Sequence, residues 1–140
     1  MKRKSYWLLK TEPEEWSWWQ QIKSDNKEAE WNGVRNYQAS NNLKNMKKND
    51  LCFLYHTGKE KKIIGIVKVT KEHFKDKLDK TQKFVAVIIK ALYPLKREVS
   101  LKEIKKNHNF HDFSLVKQSR LSVMKVDLKY WKKICKMGKV

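Results

Sequence analysis

"WNGVRNYQASNNLKNMKKNDLCFLYHTG", residues 31–58, reads in succession as a loop, a helix, a turn and a strand. Trp31 stands beside Gly33 in a polar run with neither helix nor strand period, so its ring joins no amphipathic face. A flat aromatic held on a loop next to a residue without a side chain suits a flat ligand. Asn36 is placed to cap a helix over "NYQASNNLKNM", with Tyr37, Leu43 and Met46 as its buried side. "KKND" is a turn, and Leu51–His56 is a strongly apolar strand. "TGKEKK" makes a hairpin tip, and the chain returns over Ile63–Val69. Gly65 inside that return marks a bulge or a close approach by other backbone.

Working outward, Ser5–Lys10 reads as a further strand. The capping-box spacing of Thr11 and Glu14, with Pro13 in the first turn, predicts a helix from Pro13 to Ile22. Within it Trp16, Trp19 and Ile22 share a face and are assigned to the core, while Trp18 points away. Residues 23–30 read as a surface loop. Lys71–Lys83 is a lysine-rich connection without period, and Phe84–Ala91 is a strand. Ser100 and Glu103 box the start of a short helix. After a turn around "NHNFHDF", Arg120–Val126 is a last strand. Asp127 caps a closing helix whose apolar face is Leu128, Trp131, Ile134 and Cys135, ended by Gly138. Five strands with helices fitted between them do not follow βαβα alternation. The expected class is α+β, a small curved sheet or barrel. No repeat or linker divides the chain, so residues 1–140 are expected to form a single domain.

The 140 residues carry a formal charge of +18, and all but four of the 33 basic residues are lysine. Such a balance favours an anionic partner, with nucleic acid first among them, although part of the excess belongs to solvated lysine faces. With 40% apolar residues, two prolines and four glycines, disorder is not expected. No apolar run is long enough to span a membrane, and the N-terminal run is too short for a signal peptide, so the expected location is cytoplasmic. Cys52 and Cys135 are read as buried hydrophobes without a disulfide.

Catalytic signatures are missing from the sequence. His108 and His111, with Asp112 adjacent, are accompanied by no CxxC or HExxH, and a zinc site needs three or four ligands. His56, Ser119, Ser122 and Asp50 sit in no nucleophile elbow. No dinucleotide or phosphate loop occurs. No catalytic residue, metal or cofactor is therefore expected. For binding, Trp31 and Arg35 flank Gly33. Lys10, Thr11 and Glu12 close one strand, and Tyr55, His56 and Thr57 close another. Together they supply an aromatic plane, hydrogen-bonding edges and cations, which is what a recessed nucleobase requires; the alternative is that Trp31 plugs a sheet edge and Tyr55 belongs to the core.

"YWLLKTEPEEWSW", the 31–58 segment, "IIGIVKV", "VSLKEIK" and "QSRLSVMKV…W" follow in order the pattern of EVE domains. The chain resembles that family, which includes the thymocyte nuclear protein 1-like proteins and belongs to the PUA-like superfamily. The resemblance implies a PUA-like β-barrel of about five or six strands with flanking helices and a cleft for a base, including modified cytosines in DNA. It also implies kinship with YTH and ASCH domains. Carried over by position, it implies a nucleobase site of Lys10, Thr11 and Glu12; Trp31 as stacking wall with Gly33, Val34, Arg35 and Asn36; Tyr55, His56 and Thr57 at the rim; and Arg120 with Ser122. Departures occur where the family often has Tyr-Pro-Asp and this chain has Phe74-Lys75-Asp76. Phe84 also replaces a common tryptophan, and Lys96-Arg97-Glu98 and Lys125 stand where prolines are usual. The expected function is noncatalytic recognition of a modified nucleobase, with DNA or RNA containing modified bases as partner and a monomer as the assembly. Two alternatives stand beside it. One is an ASCH-like hydrolase or nuclease using His56 or Lys10 as acid–base with Arg120 on phosphate. The other is a basic interaction module.

Overall fold

A run that is apolar at nearly every position needs cover on both faces, and β1 (Tyr6–Thr11) and β3 (Leu51–His56) are such runs. In the computed structural model, which describes residues 4–140, they lie side by side in the middle of a mixed sheet. They pair in parallel, from Tyr6 opposite Leu51 to Thr11 opposite His56. With β2 (Glu28–Trp31), β4 (Lys62–Lys75), β5 (Val85–Ser100) and β6 (Val123–Lys125), the strand order is β2-β5-β4-β3-β1-β6. The long β4–β5 ribbon shifts register at four places, and such bulges bend a strand. The edge strands β2 and β6 do not bond to each other. Helix α2 (Tyr37–Asn45) packs on β6, β5 and β4. The class is α+β and PUA-like, with an open six-stranded sheet in place of a closed barrel. Residues 1–3, part of the N-terminal stretch weighed above as a leader, lie outside the described residues. No helix among the described residues is long and apolar enough to cross a membrane.

Several local expectations are corrected. Helix α1 spans only Trp18–Lys23, because Ser17 and Gln20 form the capping box. Thr11 instead donates its hydroxyl to Trp16 O at 2.7 Å. The shorter helix has a different inward face. Trp18 is 2% exposed and Trp19 63%, the reverse of the sequence reading, and Trp16 is half-buried ahead of the helix. The Trp18 ring lies on Gly65, where an added Cβ would come within 2.7 Å of it. The close approach at this glycine is thus a side chain, beside a register shift in the β3–β4 pairing. Residues 28–31, read as loop, form β2 against β5. Tyr37 turns outward onto Phe84, with ring centroids 5.0 Å apart, so Ala39, Ser40 and Leu43 make the buried face of α2.

The remaining elements close the core. Asn36 caps α2 through Ala39 N–H, and α3 (Leu101–Lys106) has its Ser100–Glu103 box. Helix α4 (Ser114–Lys117) precedes β6, and α5 (Leu128–Met137) follows it. Asp127 occupies the cap position of α5 without a side-chain hydrogen bond, and Leu128 is exposed while Tyr130 is buried. Trp131 stacks on Phe53 at 3.9 Å. Buried Asp50 accepts hydrogen bonds from Ser5 N–H, Trp7 Nε1 and Lys47 N–H, tying the start of β1 to the turn before β3. Both cysteines are free.

The inverted tryptophan pair gives a direct check by urea unfolding. Trp18→Ala is expected to cost about 3–5 kcal/mol, the range for emptying a large aromatic site in a core. Trp19→Ala is expected to stay within about 0.5 kcal/mol of the parent.

Candidate functional site

Strands β1 and β2 both end at one side of the sheet, and their last residues open a cleft of about 710 Å³. This lies within the range of roughly 300–1,000 Å³ usual for small-molecule sites. Lys10, Thr11 and Glu12 line it from the end of β1, and Trp16 from the turn that follows. Trp31 through Asn36 line it from the end of β2 and the β2–α2 loop, and Ser122 from the approach to β6. Trp31 is the last residue of β2, opposite Val87, and is 8% exposed. Trp31 thus belongs to the hydrophobic core and also lines the cleft. Trp16 supplies a second indole, held by its Nε1 donating to Gln21 Oε1 at 2.9 Å. Buried Gln21 in turn donates to Lys27 O at 2.8 Å.

The β2–α2 loop is pinned from across the fold. Gly33 adopts φ 79°, a left-handed conformation that favours glycine. Its N–H donates to Asp76 Oδ2 at 2.8 Å, and Arg35 Nη1 donates to the same oxygen at 2.9 Å. Asp76 Oδ1 accepts Leu78 N–H at 2.9 Å. Burial pushes the Asp76 carboxyl up, but the Gly33, Arg35 and Leu78 donors together outweigh it and hold the group below the ordinary aspartate range. Arg35 also donates to Val34 O and lies 5.5 Å from the Phe84 ring.

On the opposite side, Lys10 Nζ donates to Ser119 O at 2.8 Å and lies 5.8 Å from the Tyr55 ring. Burial lowers the pKa of this ammonium. Glu12 is exposed and rests over Gly58, where a Cβ would sit 2.8 Å from Oε1, and Thr57 Oγ1 donates to Oε2 at 3.2 Å. The arrangement brings two tryptophans, mixed donors and acceptors and the Lys10 and Arg35 cations to one cleft.

Four residues expected at the site do not line this cleft. Tyr55 is buried, and burial pushes its phenol up to about 12. His56 is buried too. Its Nε2 accepts Trp18 N–H at 3.0 Å, so its proton resides on Nδ1, 3.0 Å from Glu60 Oε1. Both ring nitrogens are committed to structure, and the acid–base role suggested for His56 loses its geometry. Thr57 steadies Glu12 from behind. Arg120 lies in a neighbouring groove of about 320 Å³ that shares Asn36 with the cleft. Sequence reasoning missed Trp16, assigned to core, and Asp76, noted only as a point of departure from the family. The Ser17–Gln20 spacing was the available signal for Trp16. Among the described residues, no group of three or more His, Cys, Asp or Glu is placed to hold a metal.

Comparison with known proteins places this geometry in context. The EVE domain model matches residues 5–137. Mouse thymocyte nuclear protein 1 is 32% identical over 152 aligned residues, which cover 85% of this chain and 67% of that protein. An NMR structure of a Rhodopseudomonas palustris protein has a TM-score of 0.90 at 42% identity, covering 96% of this chain and 93% of that one. The crystal structure of human THYN1 in complex with DNA containing 5-methylcytosine has a TM-score of 0.91 at 26% identity, covering 97% and 98%. The chain thus spans about two thirds of the length of the mouse relative. The family match runs from just before β1 to the last residue of α5, taking in every strand and both sides of the cleft; the chain belongs to the EVE domain family.

Proposed function

We propose that this chain is a noncatalytic reader of a modified nucleobase in DNA, taking the base into the cleft between Trp16 and Trp31. The observation that carries the reading is the preformed slot itself, two held indoles with polar groups around them. The human relative bound to DNA containing 5-methylcytosine supports that base as the first ligand to test. A base inside a duplex must leave the stack to reach such a slot. Stacking on an aromatic wall contributes roughly 1–3 kcal/mol per base. Glu12, Asn32, Asn36 and Ser122 supply acceptors and donors for the polar edge. A donor or acceptor left unpaired by the wrong base costs roughly 1–3 kcal/mol, enough for about tenfold discrimination. A methyl group buried against an indole adds about 0.8 kcal/mol, or about fourfold over cytosine. The surface lysines add phosphate attraction that carries no sequence information.

Titration calorimetry with cytosine and 5-methylcytosine oligonucleotides tests this reading. The methylated strand is expected to bind about fourfold or more tightly. Trp31→Ala is expected to weaken binding about tenfold or more while leaving the salt dependence unchanged. Equal affinities for the two strands and an indifferent Trp31→Ala variant would sink the proposal.

The Asp76 latch keeps the slot open when empty, and its effect depends on pH. Its carboxyl titrates below the ordinary aspartate value of 3.8 in the folded protein, so its stabilisation is fully present above that value. It is lost as pH falls through the lower folded value. Asp76→Asn is therefore expected to be less stable than the parent at neutral pH. The gap should close with acidification below 3.8, as read by urea midpoints.

A further inference from the structure

The β4–β5 turn, residues 76–84, holds a feature that the cleft does not use. Leu78 is 66% exposed, the most exposed large hydrophobic side chain among the described residues. Its placement is fixed, because Leu78 N–H donates to Asp76 Oδ1 and Asp79 N–H to Asp76 O. The Asp79 carboxylate accepts from Thr81 N–H and Oγ1, Lys83 N–H and Phe84 N–H, all between 2.6 and 2.9 Å. The turn is thus built around two aspartates. Lys75, Lys77, Lys80 and Lys83 are exposed along it, and none pairs with a carboxylate among the described residues. Asp76 also anchors Gly33 and Arg35 in the cleft wall, so one carboxylate fixes the Leu78 backbone and the slot relative to each other.

A single exposed leucine is ordinary on a protein surface; here it stands on an ordered turn among exposed lysines, two residues from the carboxylate that holds the cleft wall. Extruding a base from a duplex leaves a gap in the stack, and apolar side chains, leucine included, are among the groups that insert between base steps. Lysines beside the apolar tip suit the phosphates flanking the gap. We infer that the 76–84 turn is a duplex wedge: Leu78 enters the stack beside the extruded base while Lys77 and Lys80 hold the adjoining phosphates. This rests on the base-reading function proposed above and adds a preference for double-stranded substrate to it.

The test compares three probes: a duplex with one 5-methylcytosine, its single strand, and the free 5-methyldeoxycytidine nucleoside. A 2-aminopurine beside the target reports unstacking by fluorescence. Leu78→Ala is expected to bind the duplex about tenfold more weakly and lose the fluorescence rise, the loss of a buried leucine side chain. Binding of single strand and nucleoside should match the parent. Lys77→Gln and Lys80→Gln should each make the duplex salt slope shallower by about 0.9. Unchanged duplex binding by Leu78→Ala, or equal weakening on all three probes, overturns the wedge and leaves base reading standing. If the parent binds neither nucleoside nor methylated strand selectively, base reading fails and the wedge falls with it.

Discussion

The cleft depends on one buried carboxylate. Asp76 is 2% exposed, yet it gathers Gly33 N–H, the Arg35 guanidinium and Leu78 N–H from two separate loops. Removing such a group from water is unfavourable unless its oxygens are satisfied, and here three donors satisfy them. The loop bearing Gly33 and Arg35 has no regular structure of its own, so its shape comes from this cross-fold contact. A binding site whose walls are already held loses little ordering entropy when a ligand enters.

Fold class was legible because the strands announce themselves. Runs such as Leu51–His56 are apolar at nearly every position, and that is the mark of a strand covered on both faces. Shorter elements were not. β2 has four residues, of which Glu28, Ala29 and Glu30 look polar or neutral, and it exists only because β5 offers a partner edge. The tryptophan cluster misled for a specific reason. Two capping boxes compete within residues 11–20, and choosing Thr11 over Ser17 moves the helix start and rotates its inward face. Propensity could not separate them; packing of Trp18 against Gly65 does.

The site was legible where composition clashes with position. Trp31 beside Gly33 had no reading as a helix face, and the residue is among those lining the cleft, at the end of β2 and 8% exposed. Strand-end residues were harder. Tyr55 and His56 end a strand as Lys10 and Thr11 do, but both are buried, and His56 spends its acceptor nitrogen on the first amide of α1. Asp76 sits in a lysine-rich connection without period, so only its distant partners reveal its importance.

The central place of β1 has a consequence for assembly of the protein. Its neighbours in the sheet are β3 on one side and β6 on the other, separated from it by some 40 and more than 100 positions along the chain. Loop closures of that span must be completed before Lys10 and Ser122, joined by Lys10 N–H donating to Ser122 O at 2.9 Å, line the cleft together. No contiguous fragment short of Lys10–Ser122 contains every residue that lines the cleft. Ligand affinity would therefore arise late and cooperatively during folding, and splitting the chain within that span would divide the site between the two pieces.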